Sequence, residues 1–535
     1  MTDRASGWRR WEYVAWLLLI AGFAILHALH VRADFPNGSP WIFDWAKYTD
    51  EGWYGNAAVR AHLFGNWYVP GDFNPAVAVP VWPFVEWVLF FFTGVRVEAA
   101  RGLAIACFLG SLAFSYLLLC ANHPRPLERR LPRWVGLAGL SLIVTSPFLY
   151  CFSRLAILEP LQTTLTLGTL NLAVRLPRMR RQVPASAAIG FLFALTMLTK
   201  TTELFLFPAV GWAIVVPLWE KRGLALKCAI VAASGAAATY AAWVALMGAM
   251  GLISDYRYYF FVNTYPKPSA WYWPLESLWW SLHGLLWVDH SLIPMAGAVA
   301  FSAVIARRGG WARRLWREPL FGCSLCVVAG YVLFMTLQDH PQPRYFALPA
   351  FFCFFVVSLG AWTLLNEGGW KHVFGWAIVL FAAGAACVHG TKTIAYAMHP
   401  EYTFVNAAAE TANYIDAHPN GKRLLVSISG DEIALIAHLR SLCDDFGTED
   451  LAPKTAVYQP GWYAAWNDLD PGTLQDLHAH FSLEQVATFP ALDARDRNLL
   501  VLFKLHPLAD GQTRELGNSE MRDVMPGDKI DVPVE

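Results

Sequence analysis

Long apolar runs alternate with short polar segments over the first three quarters of the chain, and after about His399 the pattern changes. The runs cover residues 11–31, 98–120, 134–150, 156–174, 184–199, 203–219, 224–250, 290–306, 319–337, 345–365 and 373–397. A helix rises ~1.5 Å per residue, so about 20 such residues cross the ~30 Å hydrocarbon core of a bilayer. The pattern therefore predicts a mainly α, polytopic membrane protein with eleven transmembrane helices. Arg4, Arg9 and Arg10 precede the first run and no suitable small-residue cleavage site follows it, so it reads as a retained helix rather than a signal peptide.

A further apolar stretch, residues 80–94, decides the topology, because one extra crossing inverts everything downstream. If it does not cross, the arginine-rich segments 121–133, 175–183, 220–222 and 307–317 share the side of the amino terminus, as the positive-inside rule requires. Its short length, Pro80, Pro83 and the central Glu86 also suit an interfacial or re-entrant helix. Residues 32–97 are then one large external loop, and residues 1–398 form the transmembrane domain. Beyond it, charged residues return and the apolar runs shorten. A helix over 402–418 and strands over 423–429, 455–459 and 498–505 predict a small soluble α/β domain at 399–535, outside the cytoplasmic membrane.

Composition narrows the function class. The 535 residues are 56% hydrophobic and 15% charged, with a mean hydropathy of +0.36, more apolar surface than one soluble core hides. Lys and Arg total 41 against 41 Asp and Glu, so no basic surface for nucleic acid is indicated. Eight of the nine cysteines lie in apolar runs, and the Cys323/Cys326 pair reads as packing rather than a redox or metal site.

Charges near a membrane are costly unless they pair, bind ions or act chemically. Asp50 and Glu51 open a helix-like segment, where Thr49 as an ordinary cap and the acids as dipole complements are an alternative reading. Arg154 and Glu159 flank the start of a span on the external side, which also fits a structural ion pair between them. Lys200 and Arg344 are isolated cations at external helix ends, where snorkelling to headgroups is the plain alternative. Together, three cations and three acids on one membrane face describe a place for an anionic lipid headgroup beside a proton acceptor. The aromatic loop 251–289 reads as an interfacial belt or a cover for a sugar. The turn 427–432 reads as an ordinary strand-to-helix connection without catalysis.

At these residues the sequence resembles the GT-C type integral-membrane glycosyltransferases, in particular protein O-mannosyltransferases and lipid A aminoarabinose transferases. The likeness rests on Asp50-Glu51-Gly52-Trp53-Tyr54 with Ala57-Ala58, on Gly65-Asn66-Trp67-Tyr68-Val69-Pro70, on Ser153-Arg154 with Glu159, on Leu198-Thr199-Lys200, and on Arg344-Tyr345 with Pro349. One departure is that the Lys-Pro-Pro stretch of the aminoarabinose transferases is absent from the first loop, where Asn74-Pro75 and Val79-Pro80 stand instead. The resemblance implies an inverting transfer of a sugar from a polyprenyl-phosphate donor, of the undecaprenyl phosphate type, to a hydroxyl of a lipid, glycan or protein acceptor at the outer face of the cytoplasmic membrane. It implies Asp50 as general base, with Glu51 or Glu159 orienting the acceptor or holding a divalent cation if one is used. Lys200 and Arg344, with Arg154 as a weaker candidate, would hold the donor phosphate, and Tyr54 and Tyr345 would touch substrate. Two other classes compete. A secondary transporter usually shows related halves and interrupted midplane helices, and a non-catalytic envelope-polysaccharide assembly protein would not depend on Asp50.

Overall fold

The computed structural model describes residues 2–120, 133–263, 273–337, 342–444 and 446–508. Arg125, Arg129 and Arg130 of the arginine-rich segment 121–133, and Tyr265, Trp271 and Tyr272 of the aromatic loop, lie outside the described residues. By contacts the chain forms two compact units. One comprises Met1–Val31, Val77–Trp82 and Arg101–His399, and the other Arg32–Ala76, Pro83–Ala100 and Pro400–Glu535. Most of residues 32–100 thus group with the carboxyl-terminal residues.

The first unit is helical. Six helices among the described residues are long and apolar enough to cross a membrane, and eight if each of two bent pairs is one span. The bent pairs are Trp134–Val144 with Pro147–Ser153, at 70°, and Leu292–Ile305 with Gly310–Trp316, at 111°. Three shorter apolar helices, Val81–Thr93, Thr201–Val215 and Pro319–Met335, fall below that length. The protein is a multi-pass membrane protein, and length and composition stop short of the eleven spans predicted. The shortfall has local causes. Pro319–Met335, one of the eleven, has 17 residues, ~26 Å of helix, short of the ~30 Å hydrocarbon core. Leu158–Arg175 is mostly buried and carries polar side chains satisfied by neighbouring helices rather than lipid. Within it Asn171 Nδ2 donates to Phe114 O at 3.0 Å and Thr166 Oγ1 to Glu203 Oε2 at 2.9 Å.

The second unit is built on a mixed five-stranded sheet of order β2-β1-β3-β5-β4, with β1 Lys422–Val426, β2 Ser441–Leu442, β3 Pro460–Trp466, β4 Phe481–Pro490 and β5 Leu499–Pro507. β1 runs parallel to β2 and β3, while β5 lies antiparallel between β3 and β4. Side chains alternate across a strand, so Trp462 and Ala464 of β3 enter one core with Phe404, Ala408 and Ile415 of the Thr403–Ala417 helix. Tyr463 and Ala465 enter the opposite core with Val426, Leu474 and Phe503. Tyr48 completes the first core and Val69 the second, which fastens the segment Arg32–Ala76 to the sheet.

The predicted helix over 402–418 and the strands near 423 and 498 are present. The predicted strand at 455–459 is instead the end of the Leu451–Tyr458 helix, which stops where Gln459 takes a left-handed φ of 50°. The strand begins one residue later at Pro460, a strand-start position where a missing N–H costs little.

Candidate active site

In the first unit, three helix ends bring charged residues together. Glu159 lies in the first turn of the Leu158–Arg175 helix, and Lys200 follows the last residue of Gln182–Thr199. Each charge thus stands at the helix end whose dipole favours it. Arg344 sits in the 3-10 turn Pro343–Phe346. Lys200 Nζ donates to Glu159 Oε1, and Arg344 Nε lies 3.8 Å from the same oxygen. Both cations also stack on one ring, with Lys200 Nζ 4.1 Å and Arg344 Cζ 4.9 Å from the centroid of half-buried Tyr345. All three charged residues are buried, at 4%, 6% and 3% exposed for Glu159, Lys200 and Arg344. Glu159 Oε2 receives no hydrogen bond among the described residues. Burial pulls the Lys200 ammonium below its ordinary value and Arg344 pushes the same way, against the attraction of Glu159.

Beyond Lys200 lies a polar group that the apolar pattern concealed. Glu203 accepts from Tyr331 Oη at 2.6 Å and from Thr166 Oγ1, and also from Gln162. It stands one turn after Lys200, whose carbonyl accepts the Glu203 N–H at 3.1 Å.

Arg154 is placed differently. Its guanidinium donates to the main-chain carbonyls of Leu29 at 2.6 Å and His30 at 2.7 Å and to the Tyr150 hydroxyl. Glu159 pairs with Lys200 and Arg344, so the structural Arg154–Glu159 pair offered by spacing is replaced by another partnership. Arg154 ties the end of the first helix to the Pro147–Ser153 segment, and a donor already committed to two carbonyls is a weaker phosphate ligand.

In the second unit, Asp50 and Glu51 open the Asp50–Phe64 helix, which ends at Gly65 in a left-handed conformation. Asp50 is 0% and Glu51 2% exposed. Half-buried Tyr54 follows Asp50 by four residues, on the same helix face. Thr49 occupies the cap position but its side chain does not cap the helix. Its hydroxyl lies 2.9 Å from Trp45 O and 3.0 Å from Asp50 Oδ1. The helix start is held instead by Glu432, whose Oε2 accepts the Gly52 N–H at 2.7 Å. Beside it Asp431 takes Asn56 Nδ2 at 2.9 Å and Arg60 Nη2 at 3.1 Å, and Arg60 also pairs with Asp72 at 2.6 Å. Trp53 Nε1 donates to Ile428 O at 3.1 Å. The turn 427–432, read from sequence as an ordinary connection, is therefore the clamp on the helix that carries Asp50.

That clamp explains Gly52. A Cβ there would lie 2.0 Å from Glu432 N and 2.2 Å from Asp431 C, both backbone atoms that cannot swing aside. Gly52→Ala is expected to prise the two helix starts apart and break the Glu432 hydrogen bond, at a cost of about 1–3 kcal/mol or more. A melting curve in detergent checks this, and an unchanged melting temperature would show that the contact does not hold the helix.

Glu86 is the other residue that sequence reasoning noted only as a charge in an apolar stretch. It is fully buried, neither carboxyl oxygen is hydrogen-bonded among the described residues, and a Cβ on Gly55 would come 2.5 Å from its Oε2. Burial first, and then the negative charges of Glu51 and Glu432, hold its carboxyl well above the usual carboxylate range. With the folded pKa raised, the stability supplied by the protonated form is full below the ordinary carboxylate value and is lost as pH rises toward the folded one. Glu86→Gln stays neutral throughout, so the parent should lose melting temperature as pH rises above the ordinary carboxylate range while the variant loses less. Parallel slopes would show that Glu86 is ionised in the fold.

Among the described residues no three His, Cys, Asp or Glu side chains are grouped so as to hold a metal ion. The residues present thus supply no ready cage for the divalent cation that the resemblance allows.

No protein-family model and no curated protein matches the sequence. Solved structures do. ArnT from Cupriavidus metallidurans bound to undecaprenyl phosphate is 12% identical with a TM-score of 0.58, over 91% of this chain and 98% of that one. Its apo form gives 14% identity and 0.57, over 92% and 98%. The archaeal oligosaccharyltransferase AglB from Archaeoglobus fulgidus, in complex with an inhibitory peptide and a dolichol-phosphate, gives 10% identity and 0.50, over 94% and 75%. The fold is the GT-C fold. The likeness runs along nearly the whole chain and so takes in residues of both of its units.

Proposed function

We propose that the chain is an inverting glycosyltransferase that moves a sugar from a polyprenyl-phosphate donor to an acceptor hydroxyl at the outer face of the cytoplasmic membrane. The observation that carries this reading is the buried convergence of Lys200 and Arg344 on Glu159 Oε1 and on the Tyr345 ring. It gains weight in a GT-C fold whose neighbours were solved with undecaprenyl phosphate and dolichol-phosphate. An ammonium and a guanidinium held side by side, one a point charge and the other a planar fork, suit a phosphate.

In this reading the acceptor oxygen attacks the anomeric carbon, Asp50 takes its proton, and the bond from that carbon to the phosphate oxygen breaks. The departing phosphate carries its negative charge onto Lys200 and Arg344, and such stabilisation contributes about 3–4 kcal/mol per strong donor. Attack opposite the leaving phosphate inverts the anomeric centre. Glu159 keeps the two cations together, Glu51 orients the acceptor, and Tyr54 and Tyr345 are each proposed to touch substrate.

The test is a transfer assay on purified protein with a panel of labelled polyprenyl-phosphate sugars and lipid, glycan and peptide acceptors. Transfer with an inverted product is expected for at least one pair. Failure to bind polyprenyl phosphate, together with no transfer from any donor, would sink the reading.

A further inference from the structure

The strongest unassigned feature lies in the first unit, at the 111° bend between Leu292–Ile305 and Gly310–Trp316. Five arginines fall within eleven residues there, from Arg307 to Arg317. Arg314 is paired with Glu367, whose other oxygen lies 3.7 Å from Lys371. Arg307, Arg308, Arg313 and Arg317 have no acidic partner among the described residues. These four, with Val304 and Trp316, line one open depression of about 710 Å³. Trp316 is fixed on its edge, its Nε1 donating to Ala303 O at 3.1 Å.

Next to this depression the last turns of Leu292–Ile305 expose Phe301, Val304 and Ile305, at 67%, 50% and 69%. Such exposed apolar surface, on a helix that counts toward a span together with its bent partner, suits acyl chains. Unneutralised guanidiniums beside exposed apolar surface match one kind of molecule, with an anionic phosphodiester at one end and acyl chains at the other. We propose that this depression binds the headgroup of an anionic phospholipid, with its chains running along the exposed face of Leu292–Ile305. The positive-inside rule accounts for arginines anywhere in such a segment. It does not require four of them to share one depression, nor the fifth to be neutralised separately.

The shared chemistry, a phosphate oxyanion on a cluster of guanidiniums, is also offered by free phosphate, and the experiment separates the two. Purified full-length protein in neutral detergent is titrated with phosphatidylglycerol, cardiolipin, phosphatidylcholine or inorganic phosphate. Bound lipid is read by native mass spectrometry and stability by melting temperature. Phosphatidylglycerol or cardiolipin should stay bound and raise the melting temperature, with phosphatidylcholine and inorganic phosphate having little effect. Each arginine near a membrane surface contributes about fivefold to such binding, so Arg313→Gln with Arg317→Gln should weaken it by roughly 25-fold. Arg314→Gln should change it much less, because Glu367 already meets that charge.

Equal retention of phosphatidylcholine by the parent would overturn the proposal in favour of unspecific annular lipid. Stabilisation by inorganic phosphate matching that by the lipids would overturn it in favour of a free-anion site. Parent affinity in the double variant would remove the arginines from the contact. The first two comparisons use the parent alone, so they decide the matter even if the variant folds poorly.

Discussion

Replacing Asp50 by Asn is expected to lower the rate of sugar transfer by ~100-fold or more, the usual scale for removing a general base, while folding and donor binding persist. The amide keeps the shape of the side chain, and its oxygen can still lie against the Thr49 hydroxyl as Asp50 Oδ1 does at 3.0 Å. It cannot take a proton. Helix capping offers no competing explanation for such a loss, because the first-turn N–H of Gly52 is met by Glu432, and a lost dipole interaction in the first turn is worth only about 0.3–1 kcal/mol. Asp50 is fully buried, so the acceptor must reach it before chemistry starts. The loss should therefore appear in single-turnover rates with donor already bound. If purified Asp50→Asn transfers sugar at close to the parent rate, the base is elsewhere, and Glu51, one residue on and 2% exposed, becomes the next candidate.

What could be read from the sequence and what could not follows from the range of each interaction. Lys200 and Arg344 stood out because a lone cation at the external end of an apolar run violates a one-dimensional charge rule, and the structure does bring them together. The Thr403–Ala417 helix was legible from its own apolar period, which packs Phe404, Ala408 and Ile415 into the sheet. Glu432 was not legible. Its partner Gly52 lies 380 positions away, and nothing local distinguishes Asp431-Glu432 from the acids that open any helix. Gly52 itself held the clue, a glycine inside a helical segment, which is unfavourable unless another backbone comes close. Glu203 was hidden for the opposite reason, since one carboxylate hardly dents an apolar run, yet it can be buried there because Tyr331, Gln162 and Thr166 surround it with donors. The strand expected at 455–459 failed on the Thr-Ala-Val-Tyr tetrad, whose Thr, Val and Tyr favour strands but sit in a helix with Thr455 buried and Val457 69% exposed.

Lys200→Ala is expected to be the most damaging change in the first unit, and its damage has two separable parts. Glu159 would remain buried with its hydrogen-bonded cation gone and only Arg344 Nε, 3.8 Å away, to meet its charge, and breaking a buried pair costs up to about 3–5 kcal/mol. Donor affinity should also fall, on the order of 30-fold or more, if the ammonium holds the phosphate. The single variant cannot tell these apart, because a destabilised site binds poorly for either reason. Combining Lys200→Met with Glu159→Gln removes both charges at similar volume, and replacing a whole buried pair is often neutral for stability. The melting temperature of the double variant should therefore return part of the way toward that of the parent, since Arg344 stays over Tyr345 but loses the Glu159 carboxylate it faces. Affinity for polyprenyl phosphate should not return, since the point charge that meets the phosphate is still missing. If stability and donor affinity recover together, Lys200 serves only to neutralise Glu159, and the phosphate contact falls to Arg344 alone.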